Sequence, residues 1–340
     1  MNVIKDKCCY LAVIFILSLF IPVFASDIEI QPTMLTRSNA QDRVWVGTLQ
    51  LVWNEFIDRY VHNPVRFREG TPVFVNELNQ RTFNTEDLAD RCYYRYSGSI
   101  TKNTAKNIKI TIKKKFNETS DILDSLNLLP GPNNFLIYVM LKKDFEFVRE
   151  FDKLGKAPFG KGMTAEYFGI NKISDKNLGI NGVSVLYYNN KNDFAIKLTT
   201  KSNDEVYLYK NSANKDFKTL YRDMNIKISQ YNGEKTFGKE DELKIPNIKF
   251  DAVKTFDELS GKRVMGTNIT INKAIESVKF NMDNKGVQLK SEAAMNMEQC
   301  ISKSSPRHFY FDDTFVIFLR ERDKNNPYFA LRVKDITKFQ

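Results

Sequence analysis

Two strand-like runs near the C-terminus bracket a polar segment of 24 residues between Gly286 and Phe311, and no other stretch limits the fold so sharply. The run before it, 278–283 (VKFNMD), alternates apolar and polar residues with period two, the pattern of a strand with one buried face. Asn284, Lys285 and Gly286 then signal a turn. After the segment come 311–320 (FDDTFVIFLR) and 328–333 (YFALRV), joined by the turn residues 323–327 (DKNNP). A compact domain rarely carries so long a structureless loop unless the loop has a task. The expectation is an exposed functional loop, with a plain exposed loop as its alternative.

Residues 272–294 (NKAIESVKFNMDNKGVQLKSEAA) and 311–333 resemble the C-terminal third of the serpin family. In that family a lysine-alanine start leads into a strand, a glycine hinge, a reactive-centre loop, a phenylalanine-rich buried strand and a last strand ending near an Arg-Val pair. The resemblance implies one α+β domain over 26–340, with a large mixed central β-sheet, a second antiparallel sheet, flanking helices and an exposed loop at 287–310. It also implies a physical mechanism: a serine protease cleaves the bait loop, whose N-terminal part enters the main sheet as an extra strand and carries the acyl-enzyme with it.

The hinge implied by the resemblance is Gly286, Val287, Gln288, Leu289 and Lys290. Inhibitory members carry small residues there, and this chain departs from them at Leu289 and Lys290. By alternation from Val287, the residues Leu289, Ser291 and Ala293 face inward while Gln288, Lys290 and Glu292 face solvent, so insertion is compatible with the pattern. Two counts give different scissile bonds. Fifteen residues from the glycine, inclusive, lead to Cys300-Ile301, whereas counting back from Phe311 leads nearer Lys303-Ser304. Lys303 suits a trypsin-like protease with an acidic specificity pocket.

At the other end, residues 1–25 read as a signal peptide. Lys5 and Lys7 form a basic start, 11–20 is an unbroken apolar or small run, and Val23 and Ala25 suit the minus-three and minus-one positions. That run is short for a membrane span, so a secreted or periplasmic protein is expected. Loss of Lys5, Asp6 and Lys7 takes the net charge from +10 to +9. Such a balance points to an acidic partner, a polyanion or membrane surface rather than nucleic acid in an exported chain. The mature chain keeps only Cys92 and Cys300, too few for a disulfide scaffold. With 42% hydrophobic residues the core must hold the fold by itself, as an expected monomer.

Along the chain, Leu49, Val52, Trp53, Phe56, Ile57 and Tyr60 make a helical stripe, so 44–60 is expected as the first helix. Residues 64–83 read as short strand, and Thr85 as the cap of a helical turn. Between Lys102 and Lys115 lie six lysines and no acid. This is either a solvated face or a polyanion strip built from Lys106, Lys109, Lys113, Lys114 and Lys115. Segment 116–126 resembles the end of the helix that crosses the serpin main sheet, with Phe116 in place of a tryptophan, and 135–141 (FLIYVML) resembles that sheet's central strand. The glycines of 155–169 form a connection, 182–188 and 194–198 form a hairpin, 205–209 adds a strand and 217–224 a short helix. Then 243–250 (LKIPNIKF) is a strand, and 256–261 a helical turn ended by glycine. The stretch between the first helix and the crossing helix is about half the length serpins use.

No catalytic constellation appears. His62 and His308 with the two cysteines lack metal-ligand spacing. The carboxylates Glu86-Asp87, Glu240-Asp241-Glu242 and Asp312-Asp313 sit in cap and turn contexts, and no nucleophile elbow or phosphate cradle occurs. The chain is expected to be no enzyme and to need no cofactor. Asn117-Glu-Thr119 and Asn268-Ile-Thr270 are glycosylation acceptors if the host glycosylates. Three readings remain: a serpin-like inhibitor, a non-inhibitory binding protein on a reduced serpin scaffold, or an unrelated exported α+β protein.

Overall fold

The apolar C-terminal runs supply the centre of a mixed seven-stranded sheet. Its strands are β1 (Glu29–Ile30), β2 (Arg43–Val46), β8 (Val183–Asn190), β9 (Asp193–Thr199), β10 (Asp204–Lys210), β18 (Phe315–Glu321) and β19 (Phe329–Val333). They are ordered β1-β2-β19-β18-β10-β9-β8, antiparallel throughout except for β1 and β2. Strands β10, β18 and β19 are covered on both faces, which is why they read as continuous apolar runs. The computed structural model describes residues 28–171, 182–287 and 306–340.

A second sheet has β6 (Asp152–Phe159), β7 (Met163–Ile170), β11 (Glu242–Pro246) and β17 (His308–Tyr310), in the order β17-β11-β7-β6. It is antiparallel save for the parallel β11/β17 pair. The remaining strands form four two-stranded ladders. These are β3 (Tyr93–Ile100) with β4 (Gly131–Leu141), β12 (Ile248–Thr255) with β15 (Ile275–Met282), β5 (Phe145–Glu146) with β16 (Gly286–Val287), and β13 (Lys262–Arg263) with β14 (Thr270–Ile271).

Among the described residues four α-helices flank the sheets: α1 (Thr48–Phe56), α2 (Val73–Leu78), α3 (Thr104–Phe116) and α4 (Phe217–Gln230). The large core joins both multi-stranded sheets, α1, β12 and β15. A smaller one packs Ile108 and Ile112 of α3 on Leu136 and Tyr138 of β4, so α3 lies across the outer face of β3 and β4. This is an α+β arrangement with a large mixed sheet, as expected from the sequence, but the run 135–141, expected as the central strand of the main sheet, pairs only with β3 among the described residues, and the hairpin 182–198, expected in the second sheet, belongs to the seven-stranded one.

Several local expectations shift. Residues 44–46 belong to β2, and the helical stripe begins only at Thr48, passing into a π-helical turn over Ile57–Val61. The strand expected at 64–83 is largely replaced by α2, which follows Pro72 and buries Val75 and Leu78 three apart on one face. Asn84, not Thr85, caps the turn that follows, in a reciprocal box with Asp87. The glycines of 155–169 sit in the β6/β7 hairpin, where Gly160 and Gly162 adopt positive φ in the turn. The run 243–250 splits into β11 and β12 of different sheets, because Pro246 has no N–H to extend its ladder.

Candidate functional site

Strands β4 and β15 stand beside each other without a ladder between them among the described residues, and the space they leave is a cleft of about 1740 Å³. One wall is β4, held on its far edge by β3 through nearly its whole length. The other is β15, held on its far edge by β12 in register from Ile248↔Met282 to Thr255↔Ile275. The floor is α1, which presents Leu49, Val52, Trp53 and Phe56, with the Tyr60 ring from the π-helical turn tilted against Phe135 of β4, their centroids 5.1 Å apart. Phe135 is 47% exposed although it belongs to the strongly apolar run 135–141. Each wall therefore offers an unpaired strand edge above an apolar base, the condition under which a further strand adds.

The upper end of the cleft is closed by the hinge. After Met282 the chain reverses over 283–286, with a bridge between Asp283 and Gly286. Phe147 N donates to Lys285 O at 3.0 Å, Phe151 N to Asn284 O at 2.9 Å, and Asn284 Nδ2 to Glu150 Oε1 at 2.6 Å. β16 then pairs antiparallel with β5 as Gly286↔Glu146 and Val287↔Phe145. Partner numbers on the wall fall as hinge numbers rise, so β16 heads from β5 towards β4 and in line with the cleft.

Gly286 is required by this geometry. Its φ is +133°, and a Cβ there would lie 2.5 Å from Glu146 Cα and 2.7 Å from Phe145 O. Both are backbone atoms that cannot step aside. Gly286→Ala should lower stability by about 1–3 kcal/mol and separate β16 from β5; an unchanged melting temperature would contradict the close approach.

A strap crosses the outside of the cleft. Residues 117–130, between α3 and β4, are tied to β15 by Lys279 Nζ on Asp121 Oδ1 at 2.7 Å and to the segment just before β15 by Lys273 Nζ on Ser125 O at 2.8 Å. Lys142 binds Glu118 at 2.7 Å near its other end. Above the cleft, where β4 passes into β5, Lys143 is buried against Asp204 at 2.7 Å and against Glu321, with its ammonium 4.7 Å from the Tyr328 ring centroid. Burial opposes its charge, but the two carboxylates outweigh that and hold the ammonium above the ordinary lysine range.

On the floor, Glu276 of β15 is 5% exposed. It accepts the Thr48 hydroxyl and, at 3.3 Å, the Leu49 N–H at the start of α1, while its Oε2 has no partner. Burial drives this carboxyl up to about 7, partly offset by those two donors and Lys254.

Of the hinge residues expected from sequence, Gly286 and the backbone of Val287 are placed as above; Gln288, Leu289 and Lys290 lie outside the described residues. So do Cys300, Ile301, Lys303 and Ser304, and with Cys300 any pairing to Cys92. The far end of the segment is firmly fixed. Arg307 is buried on Asp241 at 2.7 Å and on the carbonyls of Glu234 and Thr236, and His308 already opens β17, so 308–310 is strand rather than loop.

The lysine strip lies on α3. Lys106, Lys109 and Lys113 share one face at spacings of three and four. Lys109 is committed to Asp124 at 2.6 Å, Lys115 to the carbonyls of Asp90 and Tyr93, and Lys113 to its own helix end at Asn117 O. Asp312 and Asp313 hold Lys210 and Lys334, the cap-and-turn role expected of them. Sequence reasoning missed Glu276, the partners of Lys143 and the strap. Glu276 was detectable, because it is the one charged residue at the inward parity shared by Val278, Phe280 and Met282.

No protein-family model matches the chain, and no curated protein sequence matches it. Among solved structures it is similar to Serpin48, a highly specific serpin of the insect Tenebrio molitor, at 12% identity and a TM-score of 0.49, covering 87% of this chain and 92% of that one. It is similar to glycosylated human kallistatin at 12% identity and a TM-score of 0.45, covering 78% and 86%. It is also similar to a tumour-suppressing serpin at 12% identity and a TM-score of 0.49, covering 77% and 86%.

Proposed function

We propose that this protein is an exported, serpin-like protease trap whose loop after Gly286 enters the cleft between β4 and β15 once a serine protease has cut it. The observation that carries the reading is one of register. Continuing the Asp283↔Gly286 bridge sets residues 287–294 opposite the eight residues of β15, one for one. Val287, Leu289, Ser291 and Ala293 then fall beside the buried Met282, Phe280, Val278 and Glu276, and the polar Gln288, Lys290 and Glu292 fall on the strap side. Lys290, out of place in a small-residue hinge, would lie beside Lys279, between Asp121 and Asp251, which that lysine already holds at 2.7 and 3.4 Å. A second cation is tolerable there.

Export through residues 1–25 fits the reading, and among the described residues no helix is long and apolar enough to cross a membrane. Incubation with trypsin-like and chymotrypsin-like proteases should give a species of summed mass that survives denaturing detergent. Cleavage of the loop by the whole panel without any trapped species would leave only the binding-protein reading.

The exposed lysines of α3 support a second, compatible role in holding a polyanion. Lys106, Lys113 and Lys114 are its strongest members, since Lys109 and Lys115 are held by other segments of the chain whereas Lys113 reaches only its own helix end, at 3.3 Å. Replacing those three by Ala should bring elution from a polyanion column to clearly lower salt. Unchanged elution would remove the strip as the binding face.

A further inference from the structure

We infer that Asn117 and Asn268 carry N-linked glycans, and that the glycan on Asn117 stands over the end of the α3 lysine row and weakens its hold on polyanions. The modification rests on the export reading above, and its effect on the lysines deepens the polyanion reading. Asn117-Glu118-Thr119 and Asn268-Ile269-Thr270 are the only Asn-X-Ser/Thr triplets in the chain, and neither has a proline in the middle.

A sugar tree is bulky and hydrophilic, so the finished fold has to carry it without giving up a contact. Both sites meet that condition. Asn117 ends α3 in the left-handed conformation (φ +56°, ψ +31°), where the chain turns away into the strap, and it is exposed. Its backbone does the capping, because the N–H donates to Lys113 O at 2.9 Å and the carbonyl accepts Lys113 Nζ at 3.3 Å. Asn268 is exposed in the turn between β13 and β14. That turn is held by Thr267, whose Oγ1 accepts the Ile269 N–H at 3.1 Å and donates to Val264 O at 3.2 Å. Among the described residues neither carboxamide has a hydrogen bond, whereas those of Asn79 and Asn284 fasten Val65 and Glu150. Thr119 and Thr270 are exposed as well, and their hydroxyls bond nothing among the described residues. The fold makes no use of these four side chains, so a glycan at either asparagine displaces nothing.

The transfer needs one co-reactant, an oligosaccharide on a polyprenyl diphosphate, which the export route of a glycosylating cell supplies. A bond from the asparagine Nδ2 to the anomeric carbon forms as the C–O bond to the diphosphate breaks. The diphosphate leaves with the bonding pair, and the amide nitrogen releases one proton. Once attached, the sugar acts through its position. Asn117 follows Lys113 by four residues and Lys106 by eleven, spacings that set all three along one face of α3. Attraction between exposed charges fades over about 8 Å at physiological salt. A glycan rooted beside Lys113 holds a polyanion chain away from Lys113 and Lys114. Asn268 belongs to the β13/β14 turn and is no part of that row, which makes it the control.

The test expresses the whole chain, with its own residues 1–25, in a secreting eukaryotic host. The secreted protein is weighed before and after an amidase that removes N-glycans and leaves aspartate at each site that carried one. Both sites should be occupied. Thr119→Ala should lose the glycan at Asn117 alone and Thr270→Ala the glycan at Asn268 alone, while Thr119→Ser keeps both. On a dextran sulfate column Thr119→Ala should elute at clearly higher salt than the wild type, and Thr270→Ala and Thr119→Ser should elute where the wild type does. A secreted chain whose mass the amidase leaves unchanged overturns the modification while leaving export intact. Occupied sites with Thr119→Ala eluting at the wild-type position overturn the shielding. A chain that is neither exported nor glycosylated overturns the export reading, and this inference with it.

Discussion

Nicking the chain between residues 294 and 304 should raise its melting temperature by on the order of 10 °C. Ordering a residue costs about 1–2 kcal/mol of backbone entropy. A central strand recovers that through two ladder hydrogen bonds per residue at about 1 kcal/mol each. Burial of Val287 and Leu289 adds about 2 kcal/mol apiece, leaving a net gain of about 4 kcal/mol. The intact chain cannot collect this gain while the segment is anchored at both ends, by β16 on one side and by Arg307 and β17 on the other. An internal control follows from the register. Ser291→Arg would place a cation inward beside Val278 in the inserted strand, so it should abolish the gain on nicking while leaving the intact melting temperature within about 2 °C. A nicked wild type that melts where the intact chain does would show that the cleft is not filled from this hinge.

Much of this geometry could be read from the residues. Period-two alternation in 278–283, the turn at 284–286 and the apolar runs of β18 and β19 each follow from local chemistry; the first proves to be the end of a strand that starts three residues earlier, at Ile275, and the others fall within the expected stretches. What sequence could not supply was the relation between distant strands. The run 135–141 reads as a strand covered on both sides, and it does lie between α1 and α3; that one of its edges is unpaired depends on β15, more than a hundred residues away. Residues 73–78 misled for a different reason: valine and phenylalanine favour strands locally, but burial of Val75 and Leu78 on one helical face prevailed over that preference. For Lys143 the sequence marked a position, as part of the segment 142–147 that resembles the lysine and phenylalanine positions after the serpin central strand, but not its partners, which reach it only because β10, β18 and Tyr328 converge there.

That convergence makes Lys143→Ala the point change expected to cost most. Among the described residues, its ammonium is the only cation placed against both Asp204 and Glu321. Tyr328 donates to the first of these at 2.9 Å and the Ala89 N–H to the second at 3.1 Å, neutral donors that cannot balance two buried anions. Removing one partner from a buried charge network costs about 3–5 kcal/mol. The melting temperature should fall by on the order of 10 °C at neutral pH. Adding Asp204→Asn and Glu321→Gln to Lys143→Met should restore most of the loss, because a neutral set of similar volume leaves no charge unpaired. Lys143 also fixes the point where β4 passes into β5, and β5 in turn carries β16. The single variant should therefore loosen the hinge as well, read as faster proteolysis between residues 287 and 306. If Lys143→Ala cost less than about 1 kcal/mol, the network would be solvated rather than buried, and the upper end of the cleft would have no rigid anchor from which a strand could be drawn in.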